Sequence, residues 1–456
     1  MNRHQIHLAP YCQQNLAKKS KGYVKTSSLI LLAFATAYFP RLLESIGFPS
    51  PINFVHFVTI PFACWVSVTK SCSKDHQQII ASWMIFYGLG ILILVMFTSA
   101  FVNDAGLINI IVDFLLIGEP FVLILTMACV PMNSKRVAWF RKWLIRFGFC
   151  NLVWATGQYI LFMVLGMHPK SGNPDYIQGV FYHSGGGHVV SASVSLTFGL
   201  YYCISEKNAP LWKRVTPLIW GIWQMLVADA KQVLLVFLIA GCLLLIRKLK
   251  NIAEGIKYII GSFTLISIFL WCVNNIPAFG AFNTWARPEI YGPEGEATLL
   301  KTASIRIIAS YKTNLLQEFF GLGPGHTVGR LGGWMIREYH HLLGPLGATS
   351  HPVASETWAA VGASWLGDQS SMFSPFWGWA AIWGDLGWLG VATYLFLAVI
   401  IWIYFCKDDI SKFILLTVGV FGLIFTQMEE PGYMLFVAMI IMIRWHEYRI
   451  HLKFRS

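Results

Sequence analysis

The sequence predicts an all-α protein that crosses a membrane about twelve times. Hydrophobic residues make up 56% of the 456-residue chain and charged residues only 12%, a composition too apolar for a soluble globular domain. Apolar runs follow one another along the chain, each roughly 17 to 25 residues long, the length that a helix needs to cross a bilayer. A backbone in lipid must satisfy its polar groups internally, so these runs are predicted to be helices.

The predicted spans divide the chain into five regions. The spans are residues 27–46, 52–69, 80–101, 107–129, 143–167, 189–204, 211–228, 230–247, 256–275, 376–405, 412–428 and 431–446. The regions are an N-terminal tail (1–26), nine helices (27–275), a long loop (276–375), three helices (376–446) and a C-terminal tail (447–456).

Basic residues indicate the orientation of these spans. Clusters of Lys and Arg precede the first span and follow every second span after it, for example at 18–25, 135–146, 207–214 and 444–455. Short loops rich in Lys and Arg stay in the cytoplasm, so both termini are predicted to be cytoplasmic and the long loop to lie on the outer side of the membrane. The net charge of +12 is then largely a consequence of topology, with membrane lipids as its partner, and no nucleic-acid-binding motif is present.

The long loop departs from the sidedness rule because it carries many basic residues and histidines on the outer side. They are Arg287, Lys301, Arg306, Lys312, Arg330, Arg337, His326, His340, His341 and His351. One interpretation is a folded outer domain with a mixed surface, since long loops are translocated regardless of charge. The other is a functional segment, because structureless loops of this length are uncommon in compact proteins.

A helix and a glycine-rich turn are predicted within the long loop. Residues 298–320 show helical spacing, with an apolar face and with Arg306 projecting from an amphipathic helix beside the membrane. Gly321, Gly323 and Gly325 permit backbone angles that other residues avoid, and a proline between them prevents the helix from continuing. The turn is therefore expected to place His326 and an arginine four residues later at a fixed position.

Charged residues also occur within or beside the spans, where a charge costs at least about 2.5 kcal/mol. Lys231 and Asp229 form either a local ion pair or a cation directed at an anionic substrate. Asp113 and Glu119 are interpreted as hydrogen-bond partners or counter-charges between helices. Glu429 and Glu430 occupy a short outer turn that the long loop can reach. Histidines in the Gly-rich stretch 183–188 lack neighbouring acids or thiols, so no metal site is expected.

Five segments, in this order, resemble the O-antigen ligase and O-antigen polymerase superfamily of bacterial envelope enzymes. They are "IQGVFYHSGGGH", "DAKQVLL", "SIRIIASYKTNLLQEFFGLGPG", "WGDLGWLGVATYLF" and "TQMEEPG", which together cover roughly residues 150–440. The resemblance implies a GT-C-like fold with its active site between the bundle and the long loop. It also implies an inverting glycosyltransferase that uses neither metal nor cofactor and moves glycan from an undecaprenyl-pyrophosphate carrier to an acceptor glycan. Chain-length regulators or export proteins would be its partners.

The resemblance assigns roles to residues of the loop and of the eighth span. It assigns pyrophosphate binding to Lys231 and Arg306, and Arg330 after the glycine turn is a further candidate because an additional cation there would neutralise the leaving group. Lys231 stands where the superfamily usually has arginine. Lysine keeps the positive charge but cannot form the bidentate hydrogen bonds of a guanidinium to phosphate oxygens. The usual His-Asn pair before the "DLG" element is absent, so the base would be His326, His351 or Asp368. Apart from the resemblance, Trp334, Tyr339 and Trp358 either stack on sugar rings through their apolar faces or pack in the core of the loop.

Three functions follow. The first is a polymerase of a cell-surface polysaccharide, either O-antigen or exopolysaccharide. The second is an O-antigen ligase of lipopolysaccharide biosynthesis, which moves glycan to lipid A core or to a protein; it shares the donor and differs in the acceptor. The third is a transporter or flippase of an anionic lipid or solute. Transporters often contain internal repeats with broken helices near mid-membrane, whereas here the polar residues collect at the outer edge.

Overall fold

The computed structural model describes residues 25–70, 76–167, 172–182, 186–248, 252–280, 283, 287–366 and 378–453. Throughout this part of the chain the regular structure is helical, without a strand. The helices before the long loop are α1 Thr26–Tyr38, α2 Pro40–Ser45, α3 His56–Lys70, α4 His76–Val102, α5 Leu107–Cys129, α6 Ser134–Tyr159, α7 Gly187–Ser205, α8 Leu211–Val227, α9 Gln232–Lys248 and α10 Ile252–Asn275.

The long loop is itself largely helical. Its α-helices are α11 Pro288–Tyr291, α12 Glu296–Tyr311, α13 Leu315–Phe320, α14 Ile336–Glu338, α15 His340–Leu343 and α16 Pro352–Ala363. The last three helices of the chain are α17 Gly378–Ile400, α18 Asp409–Phe421 and α19 Pro431–Lys453. Short 3₁₀ segments lie at Ser50–Phe54, Pro174–Tyr176, Pro277–Phe279, Gly344–Leu346 and Gln427–Glu429, and π-helical turns at Ile160–Val164, Leu331–Met335 and Ile401–Phe405.

The predicted class is confirmed: the chain is a polytopic α-helical membrane protein. A helix lies at each of the predicted spans, although the first is divided into α1 and α2 because Pro40 begins a new helix. Six helices among the described residues are long and apolar enough to cross a membrane. They are Ser50–Lys70, His76–Val102, Leu107–Cys129, Ser134–Val164, Gly187–Ser205 and Gly378–Phe405.

Three helices form the centre of the bundle. In the most apolar stretches of α5 and α7, 83% and 78% of the residues are buried, and all residues from 431 to 443 of α19 are buried. Outer helices instead expose large apolar side chains, such as Phe101 of α4 and Phe263 of α10. Exposure of this kind is expected where a helix faces lipid.

One end of the bundle is held by ion pairs between helix termini. Arg141 near the start of α6 lies 3.5 Å from Glu206 after α7 and 3.4 Å from Glu447 of α19. Arg444 of α19 lies 2.5 Å from Asp408, which precedes α18. The ends of α7 and α19 therefore lie beside the starts of α6 and α18, so these helices run in alternating directions and the long loop lies at the opposite end.

A glycine turn (residues 321–327) joins the long loop to α17. The Leu322 and Gly323 amides donate to the carbonyls of Gly384 and Asp385 at 2.8 and 3.1 Å. Gly321, Gly323 and Gly325 have φ of 78°, 111° and 66°, a region that favours glycine. The expectation of one helix over 298–320 is wrong: α12 ends at Tyr311, and α13 begins after Asn314, whose side chain caps it at the Gln317 amide.

We predict that Gly321→Ala destabilises the protein by about 2 kcal/mol or more. The φ of 78° and ψ of −161° at Gly321 fall in a region that is almost exclusive to glycine, where strain costs roughly 1–3 kcal/mol. A Cβ there would also contact the backbone of Asp385 and Leu386. The control is Gly362→Ala in α16, where a Cβ meets nothing within 4 Å. Thermal unfolding in detergent compares them, and equal melting temperatures would contradict the prediction.

Candidate functional site

A cleft lies where the long loop meets α2, α3 and the start of α19. Its cavity volume is about 30 Å³. Its polar and charged lining residues are Arg41, Asn53, His56, Arg330, Tyr339 and Glu430. Apolar residues of α1, α3 and α5 complete the wall, so the charged groups face an apolar, low-dielectric surface.

Arg330 is the best-positioned cation of the predicted set. Its backbone amide donates to Glu429, and its guanidinium bonds to Glu430. The guanidinium carbon also lies 5.2 Å from the centre of the Trp334 ring. Burial, and secondarily the charge of Arg41, lowers the pKa of Arg330 to about 9, with Glu429 opposing the shift. Arg330 therefore remains mainly cationic at neutral pH.

Arg41 is a second cation of the cleft, and the sequence prediction missed it. Its Nη1 atom lies 3.0 Å from Glu44 and donates to the Tyr339 hydroxyl at 3.4 Å. Its guanidinium carbon lies 5.7 Å from the centre of the same Trp334 ring that Arg330 contacts. An arginine inside a predicted span, at its outer end, is the signal that would have revealed it.

A buried pair of ionisable residues borders the cleft, which His56 lines. His56 Nδ1 lies 2.8 and 2.9 Å from the two carboxylate oxygens of Glu119. Only 6% and 1% of the two side chains are exposed. The interpretation of Glu119 as a hydrogen-bond partner between helices is thus confirmed, with α3 supplying the partner. His56 was not among the residues singled out from the sequence.

Asp385 holds the glycine turn that carries Arg330. Its carboxylate accepts from the Gly325 amide at 3.0 Å and from the Thr327 amide at 2.8 Å. Asn109 of α5 adds a donor to the carbonyl of Pro324 at 3.0 Å. The turn is therefore attached to both α5 and α17, and Arg330 follows three residues after Thr327.

His326 contributes to this attachment. Its Nδ1–H donates to the carbonyl of Leu322 at 2.8 Å, and its Nε2 accepts from the Thr349 hydroxyl at 2.7 Å. Burial is the main cause that lowers the pKa of His326, which is consistent with a neutral ring. Both ring nitrogens are thus occupied in this arrangement.

His351 lies behind His326, and the two ring centres are 5.7 Å apart. Its Nδ1 accepts from the Val353 amide at 3.3 Å and so caps α16. Burial lowers the pKa of His351, and Glu356 opposes this shift. Neither histidine is among the described residues that line the cleft. The third candidate base, Asp368, lies outside the described residues.

The other two predicted phosphate-binding residues lie away from the cleft. Lys231, in the turn between α8 and α9, forms an ion pair with Asp229. Arg306 is exposed on α12 and donates to the Leu299 carbonyl of its own helix at 2.8 Å. Of the predicted cations, only Arg330 is among the described residues that line the cleft.

The predicted stacking residues have different surroundings. Trp334 contacts both cleft arginines, and its ring centre lies 5.9 Å from that of Tyr339, which lines the cleft. Trp358 donates from Nε1 to the Gly333 carbonyl, and the Arg337 guanidinium lies 4.8 Å from the centre of its ring. Tyr339 is thus the predicted stacking residue that forms part of the cleft wall.

Comparisons place no constraint on the function of this site. The chain matches no protein-family model, and no curated protein is significantly similar to it. Within the described residues, no group of three or more His, Cys, Asp or Glu side chains is arranged to hold a metal ion.

We predict that Glu429→Gln reduces the stability that the folded protein loses as the pH rises from about 4.5 to 8. Burial raises the pKa of Glu429 from 4.5 to about 8, and Asp385 adds to the shift, while the Arg330 amide opposes it. The folded protein thus binds a proton that the unfolded chain releases above pH 4.5, and this stabilisation is lost as the pH rises to about 8. Glutamine is neutral throughout and can still accept from the Arg330 amide.

Melting temperatures at pH 5, 6.5 and 8 measure this effect. The control is Glu338→Gln, an exposed residue of α14 that should keep the wild-type pH dependence. The prediction is wrong if Glu429→Gln and wild type lose the same number of degrees between pH 5 and 8.

Proposed function

We propose that this protein is a glycosyltransferase that polymerises a cell-surface polysaccharide from an undecaprenyl-pyrophosphate-linked oligosaccharide. The observation that supports this best is the convergence of Arg41 and Arg330 on one cleft, at the junction of the bundle and the long loop. Two guanidinium groups on one Trp334 ring repel each other unless an anion or acidic side chains balance them. The cleft therefore suits an anionic ligand.

A lipid pyrophosphate is a suitable ligand for two reasons. Its departure from the sugar requires neutralisation of a growing negative charge, and preorganised cations in a low-dielectric site supply this. Planar guanidinium groups also match phosphate oxygens through paired N–H donors. Glu44 and Glu430 balance the arginines in this arrangement, and a pyrophosphate would compete with them for the same donors.

The position of the cleft suits a donor that resides in a membrane. It lies at the end of the bundle that bears the long loop, with apolar residues of α1, α3 and α5 in its wall. In the proposed topology of twelve spans and a GT-C-like fold, this end faces the periplasm and both termini lie in the cytoplasm. The basic residues at the opposite end of the bundle, including Arg141 of α6 and Arg444 of α19, support that orientation.

The proposal predicts that Arg41→Gln lowers kcat/KM for glycan transfer by about 10- to 100-fold, the effect of losing one or two hydrogen bonds to a charged group. The assay uses purified protein in nanodiscs, a synthetic undecaprenyl-pyrophosphate-linked oligosaccharide and EDTA. Arg337→Gln is the control: this arginine is exposed in the same loop and contacts Trp358 outside the cleft.

Further outcomes of the same assay separate the alternatives. A ladder of products supports the polymerase, whereas a single transfer to lipid A core or to a protein would support a ligase. Donor that crosses the bilayer unchanged would support a transporter. If Arg306→Ala abolishes transfer and Arg41→Gln does not, the pyrophosphate is held on α12 and the assignment to the cleft is wrong.

A further inference from the structure

His56 lines the cleft and is paired with Glu119, a buried carboxylate of α5. Glu119 lies in the middle of α5, and the carboxylate contacts His56 through both oxygens. Ionisable residues inside a membrane bundle are costly and usually functional. A buried ion pair is also weak evidence for stability, since apolar side chains of similar volume often stabilise a fold as well or better.

The geometry leaves the other ring nitrogen of His56 available. Nδ1 is occupied by Glu119, and the described residues offer Nε2 no hydrogen-bond partner. Nε2 is not fully buried, although only 5% of the residue is exposed. His56 lines the same cleft as Arg41 and Arg330.

We infer that His56 is the general base of the transfer reaction and that Glu119 is its positioning residue. The inference depends on the proposed function. Glu119 holds the imidazole with Nδ1 as the proton donor, so that the lone pair of Nε2 faces the cleft. A histidine that is oriented by a buried carboxylate in this way accepts a proton at Nε2, and the carboxylate stabilises the resulting imidazolium.

The proposed step transfers the glycan from the lipid pyrophosphate to the acceptor hydroxyl. The acceptor hydroxyl oxygen forms a bond to the anomeric carbon of the donor, and the bond between that carbon and the phosphate oxygen breaks. The electron pair leaves with the lipid pyrophosphate, whose charge Arg41 and Arg330 balance. The hydroxyl proton moves to His56 Nε2 and is later released to solvent or to the pyrophosphate.

The loop histidines are less suitable for this role in the observed arrangement. His326 uses both ring nitrogens to attach the glycine turn, and His351 uses Nδ1 to cap α16. His56 instead shares a cleft with both arginines, so one bound donor can contact the cations and the base together.

Several charged and titratable groups surround His56 and influence any pH dependence. Besides Glu119 of α5, the groups that line the same cleft are Arg41 of α2, Arg330 and Tyr339 of the long loop, and Glu430 before α19. The test therefore compares variants of His56 and Glu119 with wild type over a full pH range.

The test measures single-turnover rates and donor affinity of His56→Asn and Glu119→Gln in nanodiscs from pH 5 to 9. Asparagine retains a donor to Glu119 but cannot act as a base. We expect its rate to fall by about 10²- to 10⁴-fold with an unchanged Kd for the donor, and the acidic limb of the rate profile to disappear. In Glu119→Gln we expect a slower rate and an acidic limb at lower pH, because the imidazolium loses its counter-charge.

The control is His451→Asn, an exposed histidine near the end of α19, which should retain the wild-type profile. A wild-type rate in His56→Asn, or an unchanged acidic limb in Glu119→Gln, would overturn the inference. Either result leaves the proposed function intact as long as the donor still binds to Arg41. Loss of donor binding in both variants would also overturn it. If His56→Asn does not fold, the profile of Glu119→Gln decides. If wild type transfers no glycan, the proposed function fails and the inference fails with it.

Discussion

The arrangement of the cleft depends on the contact between the glycine turn and Asp385. The carboxylate of Asp385 accepts two backbone amides of the turn, and its carbonyl and that of Gly384 accept two more. A buried carboxylate is tolerated only when its lone pairs are satisfied, and a turn of this curvature exposes its amides only if glycine relieves the steric conflict. This contact fixes the long loop on the bundle and sets the position from which Arg330 enters the cleft.

Each cleft arginine is paired with a carboxylate. The Arg330 guanidinium bonds to Glu430 before α19, and Arg41 bonds to Glu44 of the same short helix. Removing one member of a buried pair such as Arg330 and Glu430 typically costs about 3–5 kcal/mol, because the remaining charge is uncompensated. The cations are thus kept in place before any ligand arrives, which is the condition for electrostatic stabilisation of a leaving group.

The cleft combines three chemical environments within one small space. Two arginines, the imidazole of His56 and apolar side chains of the bundle all line it. The proposed donor, a lipid-linked sugar, would use all three, since its phosphates, reacting carbon and hydrocarbon tail differ in polarity. The helix termini that carry these groups are distant in sequence and meet because the helices alternate in direction.

The amino-acid sequence by itself determined the class of the protein, the positions of its apolar helices and the place of the turn at Gly321. Apolar length and glycine content are local properties, and a bilayer or a steric conflict acts on them directly. The candidate site was predicted only in part: Arg330 was found, whereas Arg41 and His56 were not. Only the tertiary structure brought these two residues to Arg330, and it left Arg306 and Lys231 elsewhere. Which charged side chains share a cleft depends on helix packing and long-range pairing, and no spacing within a single segment contains that information.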